Sequence, residues 1–273
     1  MMIEAQRELP LPASDAWLND AQILAMKLFK QSCSVRMIAN PTSLDFGGGS
    51  TVAFIDHSSV TILARACFET YVAFHWIFES PDPSMRKFRH GAWRLGGLIE
   101  RLKLHPSTPE GRDVLRKTRL QAAELKAELE SSEHLSTYSD KHSKRLLAGD
   151  WRIGWSWTSE AIRSGFHEKY IQNLYSHFSG YAHSSYISSM QMSQAQSLED
   201  QHRLATAPLQ ACIHVLARTI MTYGELFPGG AAALESAHEE AQIVVRRWRI
   251  DAADLDRFYD SSYESGAADQ GER

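Results

Sequence analysis

The sequence predicts an all-α protein, a single bundle of about seven or eight helices. Three observations predict it. Apolar residues recur at helical spacing along most of the chain. Prolines, glycines and Ser, Thr or Asp caps cut that pattern into helix-length pieces. No stretch alternates as strands joined by hairpin turns do, and there is no internal repeat. GGGS at 47–50 carries neither the lysine of a phosphate loop nor the spacing of a dinucleotide fold.

In chain order, residues 14–38 form a helix opened by Ser14 or Asp15, with Trp17, Ile23, Leu24, Leu28 and Phe29 as its apolar residues. NPTSLDFGGGS (40–50) ends it as a flexible loop. A long helix runs from about Asp56 to Glu79 and is stopped by Pro81 and Pro83. Ser84 caps the next, which reaches about Leu104. Residues 108–131 make the most solvent-facing helix, with Pro109 in its first turn and Leu115, Leu120 and Leu125 as a thin stripe. Residues 132–157 are the least regular segment and end in WRIGWSW. A short helix capped by Thr158 or Ser159 ends at Gly165, and helices at about 167–191, 199–226 and 231–248 follow. The expected layout is one domain over 1–259 and a polar, frayed tail over 260–273.

Composition narrows the function classes. A net charge of −4 excludes a global attraction to nucleic acid, so any such binding needs a local basic patch. Arg112–Arg119, KHSKR (141–145) and RRWR (246–249) are the basic clusters, each equally readable as a solvated helix face. Cys33, Cys67 and Cys212 are odd in number and far apart, which reads as free thiols rather than a disulfide framework. The N-terminus lacks the basic start and apolar stretch of a signal peptide. The greasiest window, 51–78, is interrupted by Asp56, His57, Arg65, Glu69 and His75, unlike a membrane span. The expectation is a cytoplasmic protein without membrane partners or cofactor.

Two constellations could carry chemistry. Arg65 and Glu69 stack one turn apart on a helix apolar in every other direction. A charge there needs a partner, so the two form either a structural ion pair or a site in which a buried arginine holds an anion. In NLYSHFSGYAHSSY (173–186), Tyr175, Ser179, His183 and Tyr186 share one quadrant of a helix, and Gly180 allows close approach of another. This reads either as a helix–helix hydrogen-bond layer or as a site with His183 as acid–base. The catalytic candidates are His183, Arg65, Glu69 and Ser179; Tyr175, His75 and Tyr186 are the binding candidates. His75, His90, His177 and His183 with Glu69 could ligate a metal, but no HExxH appears. The Glu-x-x-His pairs Glu199–His202 and Glu235–His238 lie in polar, solvated stretches, so no metal is expected.

The stretches LARACFETYVAFHWIFESPDPSMRKFRHGAW and SEAIRSGFHEKYIQNLYSHFSGYAHSSY resemble family 5677 of the bacterial domains of unknown function, over roughly residues 55–190. The family pattern resembles Arg-x-x-x-Glu and then Tyr-x-x-x-Ser-x-x-x-His, here Arg65, Glu69, Tyr175, Ser179 and His183. The family itself is uncharacterised. A looser likeness is to HEPN domains, many of them metal-independent RNases of defence and toxin systems. Their signature is an arginine, four to six residues, then a histidine. Arg86–His90, Arg101–His105 and Arg163–His167 each fall one residue short, so Arg65 from another helix would have to take the role. The likeness implies an RNA-binding or metal-independent RNA-cleaving protein, with RNA as candidate partner and a homodimer as candidate assembly. The alternative is a non-catalytic interaction or regulatory module with a buried polar network.

Overall fold

The computed structural model describes residues 2–259; the tail expected over 260–273 lies outside them. The protein is 76 % helical and 3 % strand, so the all-α expectation holds. Among the described residues the chain forms thirteen α-helices rather than seven or eight. They are α1 (Met2–Arg7), α2 (Asn19–Ile38), α3 (His57–Phe78), α4 (Pro83–Leu102), α5 (Pro109–Glu130), α6 (Asp140–Leu147) and α7 (Trp157–Arg163). After these come α8 (Glu168–Ala182), α9 (Tyr186–Gln194), α10 (Leu198–Leu226), α11 (Pro228–Glu235), α12 (Glu239–Trp248) and α13 (Ala252–Tyr259). The strands β1 (Thr42–Asp45) and β2 (Thr51–Phe54) form one antiparallel hairpin. The chain divides into two compact units, and α3 contributes residues to both.

The first unit takes Met1–Leu11, Gln22–Val72 and the chain from Trp157 on. Its core draws on α3, α8 and α10. Phe68 packs against Phe178 and Phe166, and Tyr71 against Phe166, while His57 meets Tyr181. Residue numbers rise along α3 as they fall along α8, so the two helices run antiparallel. Of all α3 residues only Ile62 is exposed, as expected of a central helix. The hairpin replaces the expected flexible loop. Gly47, Gly48 and Gly49 all take positive φ, which tightly reverses the chain, and Gly47 N donates to Asp45 Oδ1. Ile55 N then donates to Gln201 Oε1 of α10, tying the hairpin down. By length and composition α10 is the one helix among the described residues that could cross a bilayer, with half of its apolar window buried inside the protein.

Two expected helices are each broken in two. The 167–191 segment stops at Ala182 because Ser184 takes φ 51, and Ser185 starts α9 by capping Ser188 N. The 231–248 segment is interrupted between α11 and α12, where His238 caps the second piece.

The second unit takes Pro12–Ala21 and Ala73–Ser156, with α4 packed along α5. Asp82, not Ser84, caps α4, accepting from Ser84 N, and Pro83 sits in the first turn where its missing N–H is no loss. On α5 the buried stripe is Thr118, Ala122, Leu125 and Leu129, and Leu120 is exposed. The irregular segment 132–157 contributes α6, and its Trp151 and Trp155 pack with Trp76 into an aromatic cluster.

Candidate functional site

The charges inside α3 close into a ring. Arg65 Nε donates to Glu69 Oε1 at 2.9 Å, one turn on. Arg65 Nη2 donates to the Tyr175 hydroxyl at 3.2 Å, and that hydroxyl donates to Glu69 Oε1 at 3.0 Å. The guanidinium carbon lies 5.2 Å from the centre of the Tyr175 ring. Three side chains on two helices therefore bond one another. Burial, then the Glu69 charge, raises the Tyr175 pKa, keeping the phenol a hydrogen-bond donor. The Arg65 pKa is raised as well: burial pulls it down, but the Glu69 carboxylate more than restores it. The Arg65 and Glu69 side chains remain 20 % and 27 % exposed, so the pair borders solvent rather than being sealed in the core.

The other candidates do not join the ring. Among the described residues neither Ser179 nor His183 makes a side-chain hydrogen bond. His183 is the exposed residue after the last turn of α8, at the break before Ser184. It lies eight residues beyond Tyr175, about 12 Å along the helix axis. The antiparallel packing carries it towards the His57 end of α3, away from Arg65. Direct and single-water hydrogen bonds span only about 3–6 Å, so the shared quadrant read from the sequence does not become a shared hydrogen-bond network. Tyr186 begins α9 and is 82 % exposed. His75 pairs with Glu79 one turn on, at 3.3 Å, within the second unit.

Two features were missed from the sequence. The first is a cluster of His57, His177 and Tyr181. His57 is 2 % exposed and neither ring nitrogen has a hydrogen-bond partner, and the Tyr181 hydroxyl also lacks one. Burial lowers the His57 pKa, offset in part by the Ile55 carbonyl and Asp56. Burial, and then His57 itself, lowers that of His177. The second is Arg218 on α10. It donates to the carbonyls of Ser164, Gly165 and Ile250, to Asp251 Oδ1 and to His214 Nε2, and lies over the Phe166 ring. Burial and the Arg218 charge lower the His214 pKa to about 4. An arginine four residues after a histidine on an apolar helix was the available signal for this clamp.

Among the described residues no group of three or more His, Cys, Asp and Glu stands ready to hold a metal. All three cysteines are free, with Cys33 exposed and Cys67 and Cys212 buried. The neighbouring Cys67 thiol, and then burial, push the Cys212 thiol well above its ordinary pKa.

A family model described as a family of unknown function, DUF5677, matches residues 55–201. The chain belongs to DUF5677. The match covers α3 through the start of α10 and so includes the whole Arg65–Glu69–Tyr175 ring as well as Ser179 and His183. No curated protein and no solved structure matches this member of DUF5677.

Proposed function

We propose that this DUF5677 protein is a non-catalytic helical interaction module, with Arg65, Glu69 and Tyr175 acting as the lock that sets how α3 and α8 pair. The observation carrying this reading is the closed ring, in which the Glu69 oxygen accepts from both Arg65 and Tyr175. In a catalytic arginine and carboxylate the bonding groups turn to substrate; here Arg65 Nε and Nη2 and Glu69 Oε1 turn to one another and to Tyr175. The polar groups select one helix register because any slip of α8 costs Arg65 and Glu69 their bonds to the Tyr175 hydroxyl.

A second reading is favoured by one observation, the partial solvent access to Arg65 and Glu69. It makes Arg65 an anion site on an RNA-cleaving surface, with His183 as acid–base and Ser179 orienting it. One pair of measurements separates the two. Purified protein is incubated with single-stranded RNA and chelator, and the stability of the same samples is measured by urea unfolding. The module reading expects no cleavage, Arg65→Met and Tyr175→Phe that lose stability, and His183→Ala that unfolds like the parent. Metal-free cleavage abolished by His183→Ala, at unchanged stability, would overturn it in favour of the second.

A further inference from the structure

In the second unit a groove of about 670 Å³ runs between the outer face of α4 and the turn at 148–152. That volume lies in the range of small-ligand sites, roughly 300–1,000 Å³. Its shape follows from glycines. At Gly96 a Cβ would stand 2.6 Å from the Trp151 ring and 2.9 Å from the Gly149 carbonyl, so only glycine lets the turn close on α4. At Gly97, the next residue, a Cβ would meet nothing within 4 Å, so the groove stays open above it. The indoles of Trp93 and Trp151 line the same space.

The charges in this groove do not cancel. Its three carboxylates are already engaged: Asp20 with His90 at 2.8 Å, Glu100 with Lys103 at 2.6 Å, and Asp150 with Arg145. Arg94 and Arg101 line the groove, are exposed, and make no hydrogen bond or ion pair among the described residues. Seven residues apart, they share one face of α4 about 10 Å apart along its axis. Two unpaired guanidiniums at that spacing outreach a single phosphate and suit a chain of phosphates, each able to accept a forked pair of hydrogen bonds. Half-buried indoles beside them offer a stacking surface for a ring system.

We infer that this groove is a binding site for a nucleoside di- or triphosphate, with the phosphates held by Arg94 and Arg101 and the base lying against Trp93 or Trp151. The inference is independent of the Arg65–Glu69–Tyr175 ring, which belongs to the other unit, so either can fail without the other.

The test is calorimetric titration of the full chain with ATP, ADP, adenosine, pyrophosphate and a short single-stranded RNA. ATP and ADP are expected to bind, with adenosine and pyrophosphate each at least about tenfold weaker, because each lacks one half of the recognised chemistry. The double variant Arg94→Gln/Arg101→Gln should lose binding, and Lys126→Gln on α5, outside the groove, should keep it. Gly97→Leu supplies a second test, filling the groove where nothing of the protein stands in the way. It should abolish binding while thermal unfolding stays at or above that of the parent. No ATP binding at millimolar concentration overturns the inference. So do pyrophosphate binding as tightly as ATP, RNA binding far more tightly than either nucleotide, or undiminished binding by the double variant.

Discussion

At the scale of single residues, the ring's partial exposure sets its energetic weight. An exposed ion pair is worth roughly 0.2–1 kcal/mol, whereas stranding a fully buried charge costs about 3–5 kcal/mol. With Arg65 and Glu69 at 20 % and 27 % exposure, the pair belongs between these limits. Glu69→Ala is expected to destabilise by about 1–3 kcal/mol, and Tyr175→Phe, which removes one hydroxyl, by about 1 kcal/mol. Urea unfolding of the singles and the double measures the coupling. Strict additivity would mean that the Tyr175–Glu69 bond contributes nothing.

At the scale of elements, the break between α8 and α9 decides where His183 stands. Ser184 holds φ 51, a left-handed conformation that costs a side-chain-bearing residue roughly 1–2 kcal/mol and glycine far less. Ser184→Gly is therefore expected to stabilise by about 0.5–1 kcal/mol, part of the gain being lost to the freer unfolded chain. A lower thermal midpoint in that variant would show that the Ser184 side chain contributes something else. Gly180 serves this break: a Cβ there would lie 3.0 Å from Ser185 Oγ, so it makes room for the returning chain and not for another helix. Arg218 is the comparable device on α10, joining it to the turn after α7 and to residues 250–251. Arg218→Met keeps the length and removes the charge; the Ser164 carbonyl then loses its donor and Asp251 its partner, while Gly165 O keeps Ala252 N and Ile250 O keeps His214 Nε2, for an expected cost of about 2–3 kcal/mol. Calorimetric unfolding within error of the parent would rule out the clamp.

At the scale of the whole molecule, buried histidines tie stability to pH. His57, His177 and His214 all have folded-state pKa values below the ordinary 6.5, burial being the first cause each time. Below pH 6.5 the unfolded chain takes up protons that the folded chain refuses. The stabilisation is therefore complete above that value and is lost as pH falls towards the folded values, which is about 4 for His214. The urea midpoint should drop between about pH 7.5 and about pH 5, and His57→Leu should flatten that drop. An equally steep drop in the variant would assign the dependence to other groups.

What the sequence by itself determined is local in origin. The extent of α3, the proline-started α5 and the one-turn pairing of Arg65 with Glu69 all rest on neighbours a few residues apart. Apolar periodicity and the cost of a lone charge in an apolar helix suffice for these. Partnerships across long stretches of chain were decided only by tertiary structure. Tyr175 reaches Glu69 over 106 residues, and Arg218 reaches Ser164 over 54. The groove beside Arg94 and Arg101 exists because Gly96 admits the 149–151 turn. Periodicity also extended the 167–191 helix through Ser184, because nothing local forbids a serine there. The bonds that hold the left-handed turn are themselves local, from Ser185 N back to the Gly180 carbonyl and from Ser188 N to the Ser185 cap, but apolar periodicity does not register them, and they place His183 apart from Arg65.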